Sequence, residues 1–163
     1  MKINEQLKRR PSLKIGDIYK INIDEKKHSY GQYIYTDWRG PVVRVFNIIT
    51  DEEFDLKKII NTELMFLPVR FGIGYALKKG LWEKIGNSDV SKVEIPKFRS
   101  GNMGIISKKV SEWFLIDAGN SISLGPVLPE KYKNLELDAV WSAEDLAKRI
   151  KLGGKIPYPA WEY

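Results

Sequence analysis

The stretch IGDIYKINIDEKKHSYGQYIY, Ile15 to Tyr35, holds the single histidine of the chain and four of its eight tyrosines. Tyr19, Ile21 and Ile23 alternate with Lys20 and Asn22, the period of two that a half-buried strand shows. The charged run Asp24-Glu25-Lys26-Lys27 interrupts this pattern, and Tyr30 to Tyr35 resumes it. The stretch therefore reads as an up-down strand pair, with Gly31 marking a bulge or a close backbone approach. His28 falls in the polar connection and reads as a surface side chain. Its neighbour Ser29 does not face it in extended backbone, and no third residue is placed to orient the pair for nucleophilic chemistry.

The same pattern continues outward. A turn over Thr36–Pro41 leads into Val42–Ile49, rich in β-branched residues, so three strands form a meander. Thr50 and Glu53 have capping-box spacing ahead of a short helix bearing Phe54, Lys57 and Lys58, and the acidic cluster Asp51, Glu52, Glu53, Asp55 complements its N-terminal dipole. Pro68 marks Leu64–Phe71 as an edge or interrupted strand. Tyr75–Asn87 reads as one or two helical turns broken at Gly80, and Ser91–Gly104 as extended chain with loops at Pro96 and Gly101. Glu112–Asp117 is a strand, returned through Gly119-Asn120 into Ser121–Leu124. Ser142 caps the clearest helix: Leu146 and Ile150 share one face, and Gly153-Gly154 ends it. The predicted class is α+β, a single domain over residues 15–163 built on a curved antiparallel sheet or a partly open β-barrel. A few peripheral helices flank it, one near the C-terminus, and a basic flexible arm occupies residues 1–14.

Composition narrows the chemistry. The 163 residues include no cysteine, which excludes disulfides, thiolate zinc sites and a cysteine nucleophile and suits a reducing cytosol. One histidine cannot build a histidine-rich zinc site. The G-x-G of Phe71–Tyr75 lacks the third glycine of a dinucleotide fingerprint. No catalytic constellation, metal site or cofactor is expected, and the chain reads as a non-enzyme. The apolar runs are too short to span a bilayer, and the basic start lacks the apolar core of a secretory signal, so a cytoplasmic protein without a membrane partner is expected.

The net charge of +6 is unevenly placed. Residues 1–14 carry five Lys or Arg against Glu5, a net +4, and residues 78–109 carry eight against Glu83, Asp89 and Glu94, a net +5, leaving −3 for the remainder. A localised basic segment interleaved with Trp82, Phe98 and Trp113 fits a small nucleic-acid-binding β-barrel, the alternative reading. The three aromatics fall in different predicted elements, and Trp113 alternates like a core residue, which disfavours it. A carboxylate-based hydrolase has no spacing in its favour.

Several motifs in order resemble the immunity protein 26 family of bacterial polymorphic toxin systems. They are KIGDIYKINIDEKKHSYGQYI, the acidic DEEFDL, GLWEKIGN, and LDAVWSAEDLAKRI, spread over residues 14–151. The most specific parts are Gly16-Asp17 at the first strand, Tyr30-Gly31 in the second, Trp82, and Ala139-Val140-Trp141 before the last helix. The region 86–111 and the PAWEY tail depart from the family pattern. The resemblance implies an antidote that binds and blocks a cognate toxin domain, encoded by a neighbouring gene, without chemistry of its own. Such a contact buries on the order of 1,600 Å² around a few aromatic or arginine anchors. Trp38 and Arg39, at a turn tip, and Lys97, Phe98 and Arg99, in the basic segment, are the anchor candidates. An antidote to a basic nuclease is expected to be acidic. This basic chain implies an acidic toxin surface, contact through its net-negative remainder, or an arm that stands apart from the contact.

Overall fold

The computed structural model describes residues 12–157; residues 1–11 of the expected arm and the end of the tail lie outside them. The first strand pair forms as the alternation requires. β1 (Asp17–Asn22) pairs antiparallel with β2 (His28–Asp37), and β2 pairs with β3 (Gly40–Val45) to complete the meander. A short helix, α1 (Leu56–Ile60), precedes β4 (Val69–Phe71), which pairs with β3. After α2 (Ile73–Lys78), β5 (Trp82–Asn87) returns to the outer edge of β1. β6 (Phe98–Met103), β7 (Val110–Asp117) and β8 (Asn120–Gly125) form a separate three-stranded antiparallel sheet. The chain then re-enters the first sheet through β9 (Val140–Trp141), parallel to β4, and closes with α3 (Ala143–Lys151).

The larger sheet has the order β5-β1-β2-β3-β4-β9. The α+β class is as expected, but the sheet is mixed and open. It does not close into a barrel, because the two-residue β9 runs straight into α3, whose Ser142 side chain accepts from the Asp145 amide at 3.1 Å. Tyr19 and Ile21 share one face with Val43, Val45, Phe71 and Trp82, covered by Ile73 and Ala76 of α2 and by Leu146 and Ile150 of α3. On the other face, Ile18, Tyr30 and Phe46 meet Ile59 of α1, while Ile34 and Val42 meet Phe98 and Ile116 of the small sheet. Both faces being covered explains why the strands are nearly continuously buried, which simple alternation does not predict.

The motif residues serve this scaffold. Gly16 takes φ +95°, and a Cβ there would lie 2.6 Å from the Ser88 carbonyl oxygen. Asp17 is fully buried and accepts from the Lys14 amide at 3.0 Å and Asn87 Nδ2 at 2.9 Å, with Lys84 Nζ also at 2.9 Å, so it ties the start of β1 to the end of β5. Gly31 leaves room for Ile21 Cδ1 and the Arg44 carbonyl, each 3.1 Å from where its Cβ would stand. Trp82 stacks on Phe71 with centroids 4.2 Å apart. Trp141 is half-buried against the same cluster, under the Arg149 guanidinium at 4.9 Å.

Three expectations are corrected. His28 is only 4% exposed and belongs to β2: its backbone pairs with Thr50, and its Nε2 lies 2.9 Å from the Tyr30 hydroxyl. The α1 cap is Asp55, which accepts from the Lys58 amide at 2.8 Å, so Asp51, Glu52 and Glu53 precede the helix rather than forming its first turn. Trp82–Asn87 is a strand, since the edge of β1 is there to be paired.

Because Trp82 joins Phe71 to Tyr19 at the centre of the larger core, Trp82→Ala is expected to lower stability by about 3–5 kcal/mol. Urea unfolding followed by circular dichroism measures it; a loss below about 1 kcal/mol would mean the stack contributes little.

Candidate functional site

The sheets meet at the end where two hairpins turn. Between β2 and β3, Asp37 pairs with Gly40, and Trp38-Arg39 forms a two-residue tip. Between β7 and β8, Asp117 pairs with Asn120, and Ala118 and Gly119 take φ 46° and 82°, the backbone that matches the twist of a tight hairpin.

Trp38 is 78% exposed. Its indole Nε1 donates to the Gly119 carbonyl at 3.1 Å, which bridges the two tips. The Arg39 guanidinium lies 4.4 Å from the centroid of the same indole, and it bonds to Asp138 and, at 2.8 Å, to Ser121 Oγ. Arg39 Nε is buried without a hydrogen-bond partner among the described residues.

Beneath the tips sits a buried ionic base. Arg70 Nη1 donates to Asp37 Oδ1 at 2.9 Å and to the Gly40 carbonyl at 3.0 Å, Nη2 donates to Asp37 Oδ2 at 3.0 Å, and Nε donates to Asp138. The guanidinium rests 5.0 Å from the centroid of Phe98. Burial raises the Asp37 pKa, but the hydrogen bonds from Arg70 and the Arg39 amide and the charge of both arginines outweigh it. Asp37 is therefore held below the usual carboxylate range.

Of the candidate anchors, Trp38, Arg39 and Lys97 are brought together. Lys97 reaches Asp117 at 3.2 Å, at the foot of the β7–β8 turn. Phe98 is corrected: it is 1% exposed, packed between Ile34, Val42 and Ile116, and presents no face to a partner. Arg99 is half-buried and turned the other way, its Nε donating to the Leu135 carbonyl at 2.9 Å and its guanidinium 6.0 Å from the Trp113 ring centroid. Trp82, Phe98 and Trp113 are all buried, so none is free to stack on a base, and the nucleic-acid reading loses its platform.

A groove of about 380 Å³ opens between Leu64–Pro68 and Val93–Lys97, with Arg44 among its walls. Arg44 donates through Nε and Nη2 to Gln32 Oε1 at 2.9 and 2.6 Å, and burial pulls its pKa down. Among the described residues, no group of three or more His, Cys, Asp or Glu side chains is placed to hold a metal ion, and no helix is long and apolar enough to cross a membrane.

Fold and site together define an α+β scaffold that displays one aromatic and two cations on a buried ionic base. The family model described as Immunity protein 26 matches residues 14–112, more than half of the chain, and the protein belongs to that family of immunity proteins. The match includes Gly16, Asp17, Tyr30, Gly31 and Trp82 and stops short of Trp141. Neither a search of curated proteins nor one of solved structures returned a match.

Removing one partner of a buried pair leaves an uncompensated charge. Asp37→Asn is therefore expected to cost about 3 kcal/mol or more at pH 7. A carboxylate held low in the fold contributes its stability above the ordinary carboxylate pKa of about 4 and loses it as pH falls through the depressed value. The difference between wild type and Asp37→Asn should thus shrink below pH 4, as read from urea midpoints at pH 7 and pH 3. An equal difference at both would deny the carboxylate this role.

Proposed function

We propose that this immunity protein neutralises a cognate toxin domain by direct contact, without catalysis, through the end of the molecule that carries Trp38, Arg39 and Lys97. The carrying observation is the exposure of Trp38. A tryptophan so open to water, fixed by a hydrogen bond to a neighbouring hairpin and backed by a buried ion network, is preorganised rather than mobile. Aromatic and arginine side chains on a rigid base lose little conformational entropy on binding, and such residues carry most of the affinity of protein interfaces.

The charges support the same end. Arg39 lies over the indole and Lys97 at the foot of the facing turn, cations that suit a toxin surface bearing carboxylates, and complementary charge speeds encounter. The side chains at this end hold one another in hydrogen bonds and ion pairs, and none forms a nucleophile with a base. The toxin domain encoded by a neighbouring gene, in a bacterial cytoplasm, is the partner this reading requires.

Co-expression with that toxin domain is expected to restore growth and to yield a complex that co-purifies; failure of both would defeat the proposal. In the purified pair, Trp38→Ala should weaken binding by at least about tenfold, as a central aromatic anchor does. Lys97→Glu should slow association and change its salt dependence, with a smaller effect on dissociation. Unchanged affinity in Trp38→Ala would move the interface elsewhere.

A further inference from the structure

The β6–β7 hairpin ends in an apolar tip. Ile105 and Ile106 are 97% and 98% exposed, adjacent in sequence and far more open than any core-forming pair in the chain. Lys108 and Lys109 follow after Ser107, both exposed, and neither is in an ion pair among the described residues. The turn is closed by backbone hydrogen bonds. The Gly104 amide donates to the Lys109 carbonyl and the Lys108 amide to the Gly104 carbonyl, each at 3.0 Å, and Lys108 holds a left-handed φ of 52°. β6 and β7 are paired up to Met103 and Val110, directly below.

Two isoleucines left in water forgo roughly 1.5–3 kcal/mol each relative to burial. A hydrogen-bonded hairpin that carries both at its point is shaped for insertion. We propose that this tip is a finger that enters an apolar pocket rimmed by carboxylates on the toxin, an inference that rests on the toxin-binding reading above. The apolar pair would fill the pocket and Lys108 and Lys109 would pair with its rim. A bilayer fits less well: two isoleucines bring less hydrocarbon than one myristoyl chain, whose own membrane hold is marginal. Distance permits a shared partner. The six residues of β6 separate the tip from the Lys97 end by about 20 Å at some 3.3 Å per residue, and a standard interface is roughly 30 Å across.

The absence of cysteine makes the test direct: Ile106→Cys takes a single environment-sensitive dye. With the full chain and the purified toxin domain, dye emission should shift to the blue as the complex saturates. The double variant Ile105→Ser/Ile106→Ser should bind on the order of 100-fold or more weakly with an unchanged urea midpoint. A dye that stays water-exposed in a saturated complex overturns the finger. A blue shift on phosphatidylglycerol vesicles without toxin overturns the assigned occupant in favour of a bilayer. If the unlabelled wild type does not bind the toxin domain at all, the toxin-binding reading itself has failed and the occupant falls with it.

Discussion

Arg70 is buried between Asp37 and Asp138, side chains that lie about a hundred residues apart in the chain and come together only because β4 runs between them. Asp37 ends β2, and Asp138 belongs to the segment that leaves the small sheet and enters β9. The same segment pairs with β6, where the Arg99 amide donates to the Glu136 carbonyl and the Asp138 amide to the Arg99 carbonyl, both at 2.9 Å. One guanidinium therefore fixes the end of the meander, the return of the chain and the seat of the small sheet on Phe98. A buried ionic cluster of this kind is poor evidence of net stability, since desolvation offsets much of its attraction. Its physical effect here is geometric: apolar contact between Ile34, Val42, Phe98 and Ile116 would tolerate sliding, and directional bonds to two carboxylates do not.

That constraint shapes the surface above it. Trp38 stands on a two-residue turn whose flanking Asp37 and Gly40 are both held by Arg70, and its indole is tied to the opposite hairpin. The molecule thus presents an aromatic that water has not been able to fold away. A second lock, Arg149, grips Glu136 with two hydrogen bonds at 3.1 and 2.5 Å and the Gly154 carbonyl at 3.0 Å, and it covers Phe66 at 4.0 Å. It anchors α3 to the same returning segment. Rigidity at this end follows from polar groups that bind one another, which leaves the exposed side chains as the part able to meet a partner.

Local pattern reveals the meander, the β7–β8 hairpin and α3, because their periodicity, turn residues and Ser142 cap are all short-range signals. Where local pattern and structure differ, the reason is non-local. His28 follows a charged loop, yet β2 is buried at every position from His28 to Ile34, and a bridge to Thr50 covers it. Phe98, flanked by Lys97 and Arg99, alternates inward like any strand residue, but its burial depends on a second sheet that no local feature announces. Trp82–Asn87 carries no strong strand signature and becomes one because β1 offers an unpaired edge. The Arg70 network has no sequence signature at all, since ion pairs across 33 and 68 residues appear only once the strands are in register. The turn that carries Trp38 and Arg39 is legible because Gly40-Pro41 follows it and a β-branched strand comes next.

The proposed contact places a preformed surface around the two hairpin tips against the toxin. Hydrogen–deuterium exchange on the purified complex addresses it without altering any residue. Slowed exchange is expected in the complex at Asp37–Gly40 and Asp117–Asn120, with little change elsewhere in the larger sheet, whose strands are already hydrogen-bonded. Unchanged exchange at both turns, with protection instead over α1 or α3, would contradict it.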